Sequence, residues 1–264
     1  MKNELHSFVV PVYGQSPYLR ECLESLRAQT LRSPIVISSS TPYEGLRALA
    51  EEFDARLVLH SPNAGIGRDW NFALSQSTTP WATVAHQDDL YLPTFAERTV
   101  AQIKASSSAV LVLTGYAELF DGQRRANSPM LLIKRILLEL GFLGRERAET
   151  VKAKRRTLWF GSPIPCPSVT LSVSRAAARF REDLKVNLDW EAWLRLASEE
   201  GAFAYDREIL MLHRIHASSQ TSAAIHDGVR SREDLMMFES IWPPPIARIL
   251  ARAYTFSYET GQAS

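Results

Sequence analysis

The chain has 264 residues, with 30 Lys and Arg against 29 Asp and Glu, a formal net charge of +1. That length accommodates one large domain or two small ones around a sizeable core, and a composition of 45% hydrophobic and 22% charged residues argues against a mainly disordered chain. Near-neutrality argues against a protein whose main task is gripping nucleic-acid phosphates, so no nucleic-acid partner is expected.

The first 116 residues alternate between two periodicities. Ser7 to Val12 is apolar and β-branched, as a buried strand would be. Ser16 and Pro17 read as a hydroxyl cap and first-turn proline of a helix. Leu19, Cys22, Leu23 and Leu26 then mark one helical face. Pro34 to Ser38 is a second strand, followed by a helix with Leu46, Leu49, Ala50 and Phe53 inward. Arg56 to His60 is a third strand, and Ile66 to Gln76 a helix with Trp70, Ala73 and Leu74 inward. Trp81 to Ala85, a helix over Pro93 to Ala105, and Ala109 to Tyr116 complete the alternation. Such spacing implies parallel strands joined by right-handed crossovers, with ligands beyond the carboxyl ends of the strands. Those ends are Tyr13-Gly14, Ser38-Ser39-Ser40, Ser61-Pro62-Asn63 and His86-Gln87-Asp88-Asp89.

Residues 121–160 form a basic, helix-prone insertion that includes MLLIKRILLELGFL. One reading is an amphipathic helix covering the site; the sharper one is a membrane-surface or partner contact through 130–143, with Leu and Ile beside Lys and Arg on anionic lipid. Ser168 to Val173 reads as a strand, Asp189 to Ser198 as a helix, Ile209 to His213 as a strand. Pro243-Pro244-Pro245 stops any preceding helix. Cys22 and Cys166 are too few for a disulfide framework and read as packed thiols. The N-terminus lacks a signal-peptide pattern, and no run reaches the ~18 apolar residues of a membrane span. A soluble, cytoplasmic chain is expected.

Three clusters carry chemistry. Asp88-Asp89 follows the strand WATVA, where adjacent carboxylates are costly unless something positive joins them, such as a hard divalent cation; the bland alternative is two solvated acids. In LDWEAWLRLA, Asp189 and Glu191 sit in the first turn of a helix. There they either complement its dipole or supply a general base, with the tryptophans as a platform for a sugar ring. HRIHASSQT packs His213, Arg214 and His216 into a short loop suited to a diphosphate or a metal shell. Zinc is disfavoured, because no second Cys/His pair has ligand spacing.

Taken in order, FVVPVYGQSPYLRECLESLRAQT, NAGIGRDWNFAL, WATVAHQDDLYLP, IPCPSVTLSVSRAAARF, NLDWEAWLRLA and HRIHASSQT resemble the family 2 glycosyltransferases, inverting enzymes of the GT-A fold, over most of residues 5–222. The resemblance implies an α/β, Rossmann-like, mostly parallel sheet flanked by helices. It implies a glycosyltransferase domain over 1–222, with a nucleotide-binding half (1–116) and an acceptor half (117–222) holding the insertion, and a C-terminal helical extension over 223–264. It also implies Mg2+ or Mn2+, a nucleotide-diphosphate sugar donor, a glycan or lipid-linked acceptor, and a place in polysaccharide or glycan biosynthesis, with the inner membrane face as a second location.

Residue by residue, Pro11 and Tyr13 would line the nucleotide pocket, and Asn63, Arg68 and Asn71 would face the donor. Asp88 would touch ribose or metal, and Asp89 would ligate the metal. Asp189 would be the catalytic base, Trp190 and Glu191 would border the acceptor, and His213, Arg214 and His216 would approach the diphosphate. Two departures stand out: Ser38-Ser39-Ser40 replaces the family's acidic pair, and Gln87 stands where another Asp is frequent. At these positions Ser38, Ser39 and Gln87 would still border the donor. The departures leave a non-catalytic nucleotide-sugar-binding homologue open. A nucleotidyltransferase is the other alternative, although YGQSPYLRE lacks the glycine-rich basic loop it would need.

Overall fold

The structure, a computed structural model, describes residues 4–174, 180–216 and 228–261, with side chains to residue 255. Its core is one mixed sheet. Strands β1 (His6–Tyr13), β2 (Ile35–Thr41), β3 (Arg56–Leu59) and β4 (Trp81–Val84) pair in parallel in the order β3-β2-β1-β4. The sheet continues through β9 (Val169–Ser172), β6 (Ala109–Phe120), β10 (Ala202–Ile215) and the short β5 (Leu90–Tyr91). β6 and β10 are parallel, whereas β9 runs antiparallel to both its neighbours, β4 and β6. Two edge pieces, β7 (Gln123–Arg125) and β8 (Arg147–Ala148), pair antiparallel with β6 and β10. The sheet therefore spans both expected halves.

Alternation along β1 and β2 sends side chains to two different cores. Phe8, Val10, Ile35 and Ile37 pack with helices α1 (Leu19–Arg27) and α2 (Leu46–Glu52) and the start of α4 (Phe95–Ala105). Val9 and Val36 point the other way, into a cluster with α3 (Ile66–Ser75) and α7 (Leu188–Ala197). The inward residues read from the spacing of α1 and α3 are buried, as are both cysteines. At α1 the start differs: Ser16 Oγ accepts the Tyr18 N–H and holds the turn before the helix, which begins at Leu19 without a side-chain cap.

The insertion forms α5 (Pro129–Phe142) and α6 (Val151–Arg156), each capped by a hydroxyl, Ser128 and Thr150. The C-terminal helices, α8 (Val229–Glu239) and α9 (Pro244–Gly261), join the core of the main body: Met237, Phe238, Ala247 and Ala251 share a cluster with Trp190 and Trp193. The last helix starts within the proline run, at the first-turn position that tolerates proline. No described helix is long and apolar enough to cross a membrane.

Candidate active site

The carboxyl ends of β1, β2 and β4 meet the end of β10, and side chains fasten them together. Gln87 binds the Tyr13 backbone in both directions, accepting its N–H at 3.2 Å and donating to its carbonyl at 3.3 Å. Ser39 Oγ donates to the Val12 carbonyl, and Thr41 Oγ1 accepts the Gly14 N–H, so β2 braces the turn after β1. Ser38 is buried within the strand. Ser40 donates to Asp69 of α3, whose other oxygen is 3.5 Å from His60. A carboxylate thus stands beside the serines, contributed by a helix rather than by β2.

Asp88 and Asp89 have different tasks. Asp89 is fully buried; its carboxylate accepts from His213 Nδ1 at 3.1 Å and from the Arg214 backbone N–H at 2.8 Å, tying the loop after β4 to the end of β10. The Asp88 side chain is 23% exposed and meets His216 Nε2 at 2.8 Å. Burial raises the Asp88 pKa, but His86, His216 and His213 outweigh it and hold the carboxyl below its ordinary value. Burial also opposes the charge on His213, yet Asp89 and then Asp88 raise its pKa. At His86 burial prevails over Asp89 and Asp88 and lowers the pKa. The guanidinium of Arg214 donates to the Asp88 carbonyl and to Glu21, and lies 4.4 Å from the Tyr18 ring centre.

His86, Asp88 and Asp89 each offer a ligand atom, all within 4.8 Å of one another. His86 Nε2 is buried without a hydrogen-bond partner. Two carboxylates and a neutral imidazole fit Mg2+ or Mn2+, the imidazole being more congenial to Mn2+.

Across the cleft, Asp189 opens α7. Burial raises its pKa from 3.8 to about 6, opposed by hydrogen bonds from the Trp190 and Cys166 backbone N–H groups and by the charges of Lys134 and Arg230. The buried Cys166 thiol feels both Asp189 and Asp89, which places the two carboxylates around the entry to β9. The segment before α7 is pinned from two sides. Asn71 of α3 donates to the Phe180 carbonyl at 2.8 Å and accepts its N–H at 2.7 Å. Gly67 comes so close that a β-carbon there would sit 2.6 Å from the Arg181 carbonyl. From the other side, Glu233 of α8 accepts the N–H groups of Lys185, Val186 and Asn187.

Not every expected side chain faces the cleft. Trp190 and Trp193 are fully buried and donate to the Leu158 and Ile164 carbonyls, so they are core rings and offer no sugar platform. Glu191 pairs with Arg195 one turn on, and the Asn71 amide is taken by Phe180. Pro11 is half-buried in β1, while Tyr13, Asn63 and Arg68 are exposed. The end of the HRIHASSQT segment, from residue 217, lies outside the described residues, as do 175–179 of the acceptor-side segment. Sequence reading missed Lys134, which α5 turns inward to donate to the Tyr116 hydroxyl at 2.9 Å, and Asp69.

Comparison with known proteins gives the family and the fold. The model of "Glycosyl transferase family 2" matches residues 7–177. An uncharacterised glycosyltransferase of Rickettsia typhi is 22% identical over 90% of this chain and 70% of its own length. The putative glycosyltransferase EpsH of Bacillus subtilis is 30% identical over 46% of this chain and 36% of its own. Among solved structures, S. aureus TarS 1–349 superposes with TM-score 0.60 at 15% identity, over 88% of this chain and 64% of that one. The Pyrobaculum calidifontis mannosyltransferase PcManGT, solved with GDP-Man and Mn2+, superposes with TM-score 0.63 at 15% identity, over 95% and 69%. These likenesses give the GT-A fold, and the family match covers well over half of the sequence: the chain belongs to glycosyl transferase family 2.

Proposed function

We propose that this glycosyltransferase moves a sugar, with inversion, from a nucleotide-diphosphate donor to an acceptor hydroxyl, with Asp189 as the base. The observation that carries the reading is the Asp189 carboxyl, raised to about 6 across the cleft from the Asp88–His216 pair. A base with that pKa is mostly unprotonated at neutral pH and still competent to take a proton as it develops. As the acceptor oxygen bonds the anomeric carbon, its proton passes to Asp189. The bond from that carbon to the diphosphate oxygen breaks, and its electron pair leaves with the diphosphate.

Arg214, His213 and His216 lie where that negative charge grows. Asp88 and His86, with Asp89 behind them, would hold Mg2+ or Mn2+, which supplies charge neutralisation at the diphosphate when bound. Asp89, with both neighbours on its oxygens, serves chiefly to fasten. Tyr13, Asn63 and Arg68 border the open donor side, and Asp69 stands beside the serines that replace an acidic pair. UDP-GlcNAc and GDP-Man, seen in TarS and PcManGT structures, are the first donors to try. The acceptor is a glycan or lipid-linked hydroxyl met in the cytoplasm, in polysaccharide or glycan biosynthesis.

A donor-binding homologue without turnover is the second reading, favoured by Ser38-Ser39-Ser40. Calorimetry with nucleotide sugars, with and without Mn2+, followed by product analysis, tests both. Metal-dependent binding with transfer supports the enzyme. Binding without turnover supports the homologue, and no binding of any donor overturns both.

A further inference from the structure

Helix α5 is apolar on two opposite faces. Leu131, Leu138, Gly141 and Phe142 are buried against the body. Leu132, Ile133, Ile136, Leu140 and Leu143 are exposed, from 36% to 64%. At 100° per residue those five fall within one stripe about 100° wide, centred opposite the buried face. A helix apolar all round normally has both faces covered, and a contiguous exposed apolar strip marks an interaction surface rather than scattered surface residues.

The charge around the stripe says what covers it. Residues 121–160 carry ten of the thirty Lys and Arg but only four of the twenty-nine Asp and Glu, so the remainder of the chain is net acidic. Arg124, Arg125, Arg145 and Lys152 are exposed. Beyond Leu143 the stripe runs into an open hollow of about 440 Å³, whose lining includes Arg145, Arg147 and Arg156 together with Glu146 and Glu149. Among the described residues these three arginines pair with no carboxylate, and Arg156 Nε is buried without a hydrogen-bond partner. Apolar side chains in a row, flanked by unpaired cations, match the boundary between acyl chains and anionic headgroups. A protein partner of matching shape would need acidic groups at both ends of an apolar groove; a bilayer offers that pattern everywhere.

We infer that the outward face of α5 docks on an anionic phospholipid surface, with the hollow lined by Arg145, Arg147 and Arg156 receiving a headgroup phosphate. The inference stands apart from the proposed chemistry, because none of these residues lies in the cleft. It brings the cleft close to the bilayer, since α5 turns Lys134 toward Tyr116 on its other side.

Flotation of the full chain with vesicles of phosphatidylcholine alone, or mixed with phosphatidylglycerol, tests it. The protein should float with the mixed vesicles, stay behind with the neutral ones, and be released by high salt. Ile133→Ser with Ile136→Ser should weaken flotation at least about tenfold, and Arg145→Glu with Arg156→Glu should do so at unchanged helicity and thermal midpoint. Several outcomes overturn the inference: equal flotation with both vesicle types, flotation that the stripe variant leaves intact, or a concentration-dependent dimer that Ile136→Ser abolishes. So does release of the protein by millimolar inorganic phosphate at constant ionic strength, which would mark the hollow as a site for soluble anions.

Discussion

The Glu233 carboxylate accepts the backbone N–H of Asn187 at 2.9 Å, two residues before Asp189. The same carboxylate takes the N–H groups of Lys185 and Val186, and the adjacent Asp234 accepts from the Asn187 amide at 2.7 Å. A C-terminal helix thereby sets the height of the proposed base over the cleft. Glu233→Ala leaves three backbone N–H donors without this partner, that of Asn187 buried, and should cost roughly 2 kcal/mol of stability. Its transfer defect should fall on kcat, with donor affinity unchanged. Glu233→Gln, which keeps an acceptor, should recover part of both. Denaturant titration and steady-state kinetics on the three proteins check this.

Asp189→Asn should retain donor binding and lose turnover. The substitution keeps an acceptor for the Trp190 N–H, so the variant should also be more stable at pH 8, by about 1–2 kcal/mol after allowance for solvent. The sign follows from a folded-state pKa near 6, above the ordinary 3.8. Above pH 6 the wild-type carries a buried charge that disfavours folding; the penalty shrinks as pH falls from 6 toward 4. The stability gap between the two proteins should therefore close over that window. Full transfer activity in the variant would sink the assignment of the base.

For the same reason, kcat of the wild-type should rise with pH through about 6 and then level. The acid limb reports protonation of Asp189. Single-turnover transfer measured between pH 5 and 8 is the check, and a flat profile speaks against the proposed base.

The two adjacent aspartates should separate on substitution. Asp88→Asn should weaken Mn2+ binding at least tenfold while leaving the thermal midpoint nearly unchanged, because Asp88 is partly exposed. Asp89→Asn should lower the midpoint, since a fully buried carboxylate with two donors from β10 is lost. Calorimetry and thermal unfolding on the same samples distinguish them.

Gly67→Ala should destabilise the fold by about 1–3 kcal/mol and slow transfer. Its new methyl would press on the Arg181 carbonyl and on Leu188 Cδ2, at 2.6 and 2.9 Å, and so displace the start of α7. Thermal unfolding beside kcat gives the measurement.

Much of the donor side was legible in the sequence because its signals are local. The i, i+3, i+4 spacing of Leu19, Cys22 and Leu23, and the four short apolar strands, describe elements that each bury one face. Asp88-Asp89 stood out because adjacent carboxylates after a strand need a positive partner, and Asp189 because an acid in a helix's first turn can serve as a base as well as complement the dipole. What escaped depends on distance along the chain. The two-residue β5 is a strand only because Leu212 and Met211 pair with it. The antiparallel direction of β9 cannot be read from VTLS. Trp190 was read as bordering the acceptor, yet α8 and α9, far later in the chain, cover it with Phe238 and Tyr254. Gln87 was read as a donor-binding residue, whereas its amide is spent on the Tyr13 backbone.

The reversed strand β9 has a further consequence. Because it runs against β4, it begins where β4 ends, with Val169 opposite Leu113 partway along β6. Its entry, the turn Cys166–Ser168, supplies an N–H to Asp189 and the Pro167 carbonyl to Tyr91. A parallel strand in that slot would deliver its tail there, and its crossover helix would lie across a face of the sheet. An antiparallel strand delivers its head instead, from a connection that can stay at the rim. Two polypeptide stretches far apart in order, one bearing the acids and the other the base, are thereby registered against a single short turn. Insertions before Cys166 should consequently retune acceptor geometry while leaving the donor half in place.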